Sequence, residues 1–367
     1  MAGVFMGLDV NTLVTLASFG LFFAFMTYGG RIQTITATGA IVRSIRRLDS
    51  IKTRARADVI SYVNTNGGDA DTTAGRVDEF LNYVTIMPVT MDPSGIVPKL
   101  AHLVDTGDER IRAEVKGLMK GADAVTQSVA QNMIEMASGL TLMHKIVRHY
   151  YLEGKKTNSA VTLLQLQMSL PQIMSQADAL SKAMGSVRQG SAIGDGVGPL
   201  VASRFPSDGP KQVVAKDTVV WVTPHEGRTL YVMKAEGPMG YVGQPGVAME
   251  RLIEEMKVSP DAIIMVDAAA KLEGEETGEV AEGVGAAIGG IGVEKYQIEE
   301  VAAKHRIPVY AVLVKEGDAD VMATMKEEIL KGAARAAAVV RRLIREKTKE
   351  GDTVLLAGIG NTLGVGQ

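Results

Sequence analysis

Two aspartates occupy positions from which a carboxylate can act on a bound molecule. Asp195 lies in the turn Gly-Asp-Gly-Val-Gly-Pro at 194–199, where glycines let the backbone approach a ligand closely. Asp267 directly follows the apolar run 262–266, at the end of a predicted buried strand. Two such acids can share a divalent cation or a proton, so we predict them to be catalytic residues. A helix cap for Asp195, and a cap or a lysine partner for Asp267, are the alternative interpretations.

A second glycine-rich turn follows the last apolar run of the chain. Residues 354–357 lead into Gly358-Ile359-Gly360-Asn361. We expect the two turns to line one pocket. The glycine and asparagine positions that we predict to contact a bound molecule are Gly194, Gly196, Gly360 and Asn361.

The elements that position these residues alternate between strand and helix after residue 190. The predicted strands are 218–222, 228–233, 261–266, 308–314 and 353–357, and the predicted helices are 246–256, 294–305 and 321–347. This alternation predicts an α/β sandwich with a largely parallel sheet. In such sheets ligands bind at the carboxyl ends of the strands, which is where Asp267 is expected. Residues 72–186 keep a helical period throughout and predict a helical bundle.

The N-terminal segment 10–28 contains no charged residue and predicts a single-pass transmembrane helix. Seven basic residues against Asp49 follow between Arg31 and Arg56, so the positive-inside rule predicts an outside N-terminus and a cytoplasmic bulk. The predicted location is the cell membrane, with the bilayer as partner through 10–28. One alternative is a signal peptide, but the basic region that should precede its apolar run is missing here. The other alternative is a buried core helix.

The composition of the chain excludes several kinds of site and partner. The chain has 367 residues, a net charge of −3 and no cysteine, which excludes disulfides, thiolate zinc sites and a cysteine nucleophile. No global basicity indicates nucleic-acid binding. Four domains are predicted. They are a transmembrane anchor (1–30), a basic juxtamembrane amphipathic helix (31–66), a helical bundle (67–187) and an α/β domain (188–367).

The order of motifs in residues 188–367 resembles that of the hydrogenase-maturation endopeptidases and the spore germination proteases. In those families a first strand ends in Gly-x-Gly-Asn, an acidic glycine loop and a helix follow, and a later apolar strand ends in Asp-Ala. Here the loop is 194–199, the Asp-Ala is Asp267-Ala268, and the Gly-x-Gly-Asn is 358–361 at the end of the chain. The resemblance implies a three-layer phosphorylase/hydrolase-like fold whose first strand is circularly permuted to the C-terminus.

The same resemblance implies a third ligand. The maturation proteases place a histidine at the start of the helix after the aspartate strand, and the corresponding residue here is Glu294. A site of Asp195, Asp267 and Glu294 favours Mg, Mn or Ca over Zn or Ni. The acidic, glycine-rich loop 271–292 is interpreted either as a flexible flap that adds Glu279 or Glu282 to the site or as a solvated loop.

The whole chain also resembles an archaeal family of uncharacterised, membrane-anchored proteins of similar length, through the run from Asp267 to Gly283. We therefore expect a membrane-associated, homo-oligomeric assembly or scaffold protein that carries a protease-like α/β domain. The alternative is a membrane-anchored metal- or acid-dependent peptidase or other hydrolase that uses Asp195 and Asp267 on a peptide or small-molecule ligand. A small-molecule sensor is a third hypothesis.

Overall fold

The computed structural model describes residues 10–83, 95–206, 209–290 and 292–366. Between residues 10 and 33 it describes the backbone together with the side chains of Ser18 and Phe19. The first nine residues of the predicted anchor therefore lie outside the described part of the chain.

Five long helices form the N-terminal half of the described chain, as the periodicity predicts. They are α1 (Val10–Thr65), α2 (Ala70–Leu81), α3 (Ile96–Leu118), α4 (Ala124–Lys156) and α5 (Ala160–Arg188). Helix α1 buries one face, at Ile41, Leu48, Val59 and Val63, and exposes Arg43, Arg46, Arg47 and Arg54 on the remaining faces. Asp69 begins α2 by accepting a hydrogen bond from the backbone N–H of Asp71.

The prediction of a transmembrane anchor is wrong, and with it the first element of the predicted fold class and the predicted location in the cell membrane. Among the described residues, no helix is both long enough and apolar enough to cross a bilayer. Residues 10–28 form no separate element, because they begin a 56-residue helix that continues to Thr65 through seven basic side chains.

The chain divides into two units, and the division falls within α1, α4 and α5. The first unit comprises residues 1–52 and 142–175. In it His144 accepts a 3.3 Å hydrogen bond at Nδ1 from the Lys52 ammonium. The second unit comprises residues 53–141 and 176–367, and it contains both the rest of the helices and a β-sheet. The predicted domain boundaries stay predictions.

A seven-stranded mixed sheet forms the centre of the second unit, within the residues described. The strands are β1 (Gln212–Ala215), β2 (Thr218–His225), β3 (Arg228–Ala235), β4 (Ala262–Ala270), β5 (Val280–Val284), β6 (Val309–Glu316) and β7 (Thr353–Gly358). Their order is β1-β2-β3-β7-β4-β6-β5. The four strands β3, β7, β4 and β6 are parallel, so their carboxyl ends meet at one edge. The last strand of the chain thus lies at the centre of the sheet.

Helices cover both faces of the sheet. Helices α6 (Val197–Ala202) and α10 (Glu327–Lys347) pack on one face with Val266 and Leu356, and α7 (Pro245–Glu250) and α8 (Val293–His305) pack on the other with Met265 and Leu355. Successive strand residues point to opposite faces, and residues 262–266 of β4 and 354–357 of β7 are buried on both faces; both stretches are accordingly continuous apolar runs. The α/β part of the predicted fold class is therefore found.

Four details differ from the predicted elements. Residues 280–284 of the expected flap form β5, which pairs antiparallel with β6. The predicted helix 321–347 is split into α9 (Asp318–Val321) and α10, and the predicted helix 246–256 ends in a π-helical turn at Arg251–Glu255. The short edge strand β1 has no alternating apolar pattern, which is why sequence periodicity missed it.

Candidate functional site

A cavity of about 880 Å³ opens at the carboxyl edge of the parallel strands, inside the second unit. Its walls come from α3, α4, the start of α8, the end of β4 and the turn after β7. The predicted site residues Asp195, Asp267, Glu294, Gly360 and Asn361 all line it. Ligands of α/β sheets bind at this edge, so the cavity is the candidate site.

The two glycine-rich turns meet at Asp195. The backbone N–H of Asn361 donates a 2.8 Å hydrogen bond to Asp195 Oδ2. Gly360 has φ +127°, and a Cβ there would run into the backbone oxygen of Asp195. Asp195 caps no helix, since α6 begins after Gly196 without a side-chain cap. Burial raises the pKa of Asp195, although the Asn361 N–H partly opposes this.

Asp267 is 7% exposed at the end of β4. The backbone N–H of Ala268 donates a 2.8 Å hydrogen bond to its Oδ1, and no cation pairs with it among the described residues. Burial and, after it, the neighbouring charge of Asp195 raise the pKa of Asp267 to about 8. Asp195 therefore lies near enough for its charge to raise the pKa of Asp267.

Glu316 is a third acid at this edge, which the sequence interpretation missed. It ends β6 opposite Ala270, is 0% exposed, and neither carboxylate oxygen has a hydrogen-bond partner in the described part of the chain. Burial and the charge of Asp195 raise the pKa of Glu316 to about 8. The signal that singled out Asp267, an acid after an apolar strand, was present here too, but the preceding Lys315 obscured it.

Glu294 lies elsewhere in the cavity and does not complete a three-carboxylate cluster with the pair. Its Oε2 accepts a hydrogen bond from the backbone N–H of Gly246 at the start of α7. Burial and then the charge of Asp105 raise the pKa of Glu294. The resemblance to the maturation proteases implied a third ligand at Glu294, but this residue, at the start of α8, lies near Asp105 of α3 rather than beside the aspartate pair.

The remaining predicted residues do not line the cavity. Gly194 packs against the Glu316 carboxylate and the backbone of Asp320, and Gly196 packs against the backbone of Asn361. Glu279 is exposed, and Glu282 forms an ion pair with Arg342 of α10. The two glycines therefore permit close packing beneath the site, and the two glutamates lie outside it.

Helices α3 and α4 add charged residues that the sequence did not indicate as part of a site. Arg112 pairs with Asp217, donating 2.9 Å from Nη1, and its guanidinium stacks over Tyr241. Glu135 of α4 receives a 3.0 Å hydrogen bond from Gln131. These helices contact residues about 100 positions later in the chain. Local sequence patterns cannot predict such a contact, because only the tertiary fold creates it.

The donor set does not fit the predicted divalent cation well. Among the residues described, no group of three or more histidine, aspartate or glutamate side chains is arranged to hold a metal ion. Asp267 and Glu316 at the strand ends have pKa values raised to about 8, so without a bound cation both retain protons at neutral pH. The cation itself stays a prediction.

Comparison of the chain with known proteins identifies a protein family but no activity. The profile described as "Protein of unknown function (DUF1512) N-terminal domain" matches residues 15–190. The profile described as "Domain of unknown function (DUF1512) C-terminal" matches residues 193–366. No curated protein and no solved structure matches the chain.

Proposed function

We propose that this chain, which belongs to the DUF1512 family, is an acid-dependent hydrolase that cleaves an amide bond. The observation that carries the proposal is the Asp195–Asp267 pair in the wall of the cavity, with Asp267 nine-tenths buried and its pKa raised to about 8. Two carboxyl groups that share a proton supply a general base and a general acid at one place.

The environments of the two acids assign the roles. The Asn361 N–H favours the ionised form of Asp195 against the effect of burial, and the Asp195 charge adds to burial in raising the pKa of Asp267 to about 8, so that Asp267 is the partner that keeps its proton at neutral pH. Asp195 accepts a proton from a water molecule as the water oxygen attacks the carbonyl carbon, and Asp267 donates its proton to the carbonyl oxygen. The C–N bond then breaks, the leaving nitrogen takes a proton from Asp195, and the new carboxyl group returns one to Asp267.

An amide substrate is supported by the cavity and by the order of motifs. A volume of about 880 Å³ accommodates a short peptide segment and lies within the usual range for ligand sites. The resemblance of residues 188–367 to two peptidase families supports hydrolysis of a peptide bond over other reactions. Since the donor set fits a shared proton better than a metal ion, no step of the mechanism uses a metal.

Peptide cleavage by the full chain tests the proposal. We expect the wild type to cleave a mixture of peptides from digested casein, followed by mass spectrometry, and to do so in the presence of EDTA. Asp267→Asn and Asp195→Asn should each lower the rate by about 10²–10⁴-fold, because each removes one partner in proton transfer.

Glu279→Gln is the matched control, since this acid is exposed and lies outside the cavity. It should leave the rate unchanged. Wild-type turnover in Asp267→Asn, with its fold intact by circular dichroism, would contradict the proposal. Loss of activity in EDTA that Mg²⁺ or Mn²⁺ restores would contradict the shared-proton mechanism and indicate a metal-dependent one.

The scaffold and homo-oligomer hypotheses stay predictions. The described contacts are all within one chain and bear on neither.

A further inference from the structure

One wall of the cavity is built from hydrogen-bond acceptors on α3 and α8. Asp105 of α3 and Glu294 and Gln297 of α8 all line it. Asp105 Oδ1 accepts a 2.6 Å hydrogen bond from the side chain of Gln244, and Glu294 Oε2 accepts one from Gly246 N–H. Within the described chain each carboxylate thus has one hydrogen-bond partner and no cationic partner.

Gln297 provides a second and independent sign that a ligand is needed here. Its Oε1 is buried and has no hydrogen-bond partner in the part of the chain that the structure describes. A Cβ placed on Gly246 would lie 2.7 Å from this oxygen and 2.8 Å from Glu294 Oε2, so the two acceptors are neighbours. A buried acceptor without a donor costs free energy unless a bound group supplies an N–H or O–H.

The basic residues in the cavity wall are already engaged elsewhere. Arg112 pairs with Asp217 and Asp108, and the Lys216 ammonium lies 2.7 Å from Asp108. Asp105 of α3 and Glu294 of α8 therefore both lie in this wall without a cationic partner in the described part of the chain. Burial and the Asp105 charge raise the pKa of Glu294, as expected for a carboxyl group next to an unneutralised like charge.

We infer that Asp105, Glu294 and the Gln297 carbonyl oxygen form a subsite for a cationic side chain of the substrate, a guanidinium or an ammonium group. This inference rests on the proposed function, because it takes the ligand of the cavity to be a peptide. A guanidinium offers five N–H donors and an ammonium three, and neither accepts, which complements a wall of three acceptors. Apolar residues around it, including Leu100, Val104 and Val293, suit the aliphatic stem of such a side chain.

Binding to a catalytically inactive chain tests the subsite without requiring turnover. The full chain with Asp267→Asn is titrated calorimetrically with acetyl-Ala-Arg-Ala-amide and with the uncharged isostere in which citrulline replaces arginine. We expect the arginine peptide to bind at least tenfold more tightly. Adding Glu294→Gln or Asp105→Asn should reduce that preference to less than threefold, and glutamine at 294 can still accept from Gly246 N–H.

Glu109→Gln is the matched control, because Glu109 is an exposed acid of α3 that does not line the cavity. It should leave the preference unchanged. Equal binding of the arginine and citrulline peptides would overturn the inference, as would an equal loss of preference in Glu109→Gln. Binding of Mg²⁺ alone that is lost in Glu294→Gln would instead make the wall a metal site.

Two further results separate this inference from the proposed function. Tight arginine-peptide binding by a wild-type chain that hydrolyses no peptide would leave the subsite standing and contradict the hydrolase. Peptide hydrolysis without preference for bonds near arginine or lysine would leave the hydrolase standing and contradict the subsite. Asp105→Asn serves as the second variant if Glu294→Gln does not fold, since it lies on a different helix.

Discussion

Asp195, Asp267 and Glu316 are neighbouring acids whose pKa values are all raised, chiefly by burial. The charge of Asp195 adds to burial at Asp267 and Glu316, where the pKa is about 8. Backbone N–H groups oppose burial at Asp195, which receives a hydrogen bond from Asn361, and at Asp267, which receives bonds from Ala268 and Gly289. Glu316 has no hydrogen-bond partner among the described residues. Burial and the Asp195 charge therefore set the charge states at this edge, and single N–H groups reduce their effect.

The pH dependence of activity follows from Asp267. Its pKa of about 8 means that the general acid loses its proton as the pH rises through that value. We expect kcat/KM for a cleaved peptide to fall about tenfold per pH unit above pH 8. A profile that stays flat from pH 7 to pH 10 would contradict the assigned role of Asp267.

Glu316 makes stability depend on pH. Its pKa is raised from 4.5 to about 8, so the native state keeps a proton that the unfolded chain loses between these values. The free energy of unfolding therefore declines as the pH rises from about 4.5 to about 8. Above that range the full cost of ionising the buried Glu316 is present. We expect Glu316→Gln to be more stable than wild type by up to about 5 kcal/mol at pH 9 and nearly equal to it at pH 4.5.

Urea unfolding at the two pH values measures this difference. Glu346→Gln on the exposed side of α10 is the control and should show no pH-dependent gain. A Glu316→Gln chain that is less stable than wild type at pH 9 would show that the ionised glutamate is stabilised by a partner.

At the scale of elements, the site depends on the approach of the turn after β7 to the turn before α6. Gly360 adopts a left-handed φ of +127°, and a Cβ would collide with the backbone of Asp195. We expect Gly360→Ala to lower the free energy of unfolding by about 2–4 kcal/mol, because it combines strain with a backbone clash. Chemical denaturation measures the loss.

Gly366→Ala is the control for that change, since a Cβ there meets nothing within 4 Å. It should alter stability by less than about 0.5 kcal/mol. Equal stability of the Gly360→Ala chain and wild type would mean that the two turns do not need to touch.

Elements were predictable where a periodic pattern was uninterrupted. The strands at 218–222, 228–233, 261–266, 308–314 and 353–357 are all found, since each is a short, largely apolar run. The expected flap contains β5 instead. Its hydrogen bonds to β6 come from the backbone, so its glycines and glutamates gave no sign of them.

For the whole molecule, the position of β7 has the largest consequence. This last strand lies between β3 and β4 and buries Val354, Leu355 and Leu356 completely. We expect deletion of residues 353–367 to abolish cooperative unfolding of the second unit, because the sheet would lose its central ladder on both sides. Near-ultraviolet circular dichroism and urea titration measure this, with deletion of 366–367 as the control. A cooperative transition in the longer deletion would show that the sheet closes without β7.

The sequence by itself determined the types of elements and several of the acids, because periodicity, glycine turns and an acid after an apolar run are local features. It did not determine that residues 10–28 form no membrane span, since that segment continues into a 56-residue helix. Only the tertiary structure decided which acids meet. Asp195 and Asp267 come together with Glu316, whereas Glu294 faces Asp105, because strand order and helix packing join residues far apart in the chain.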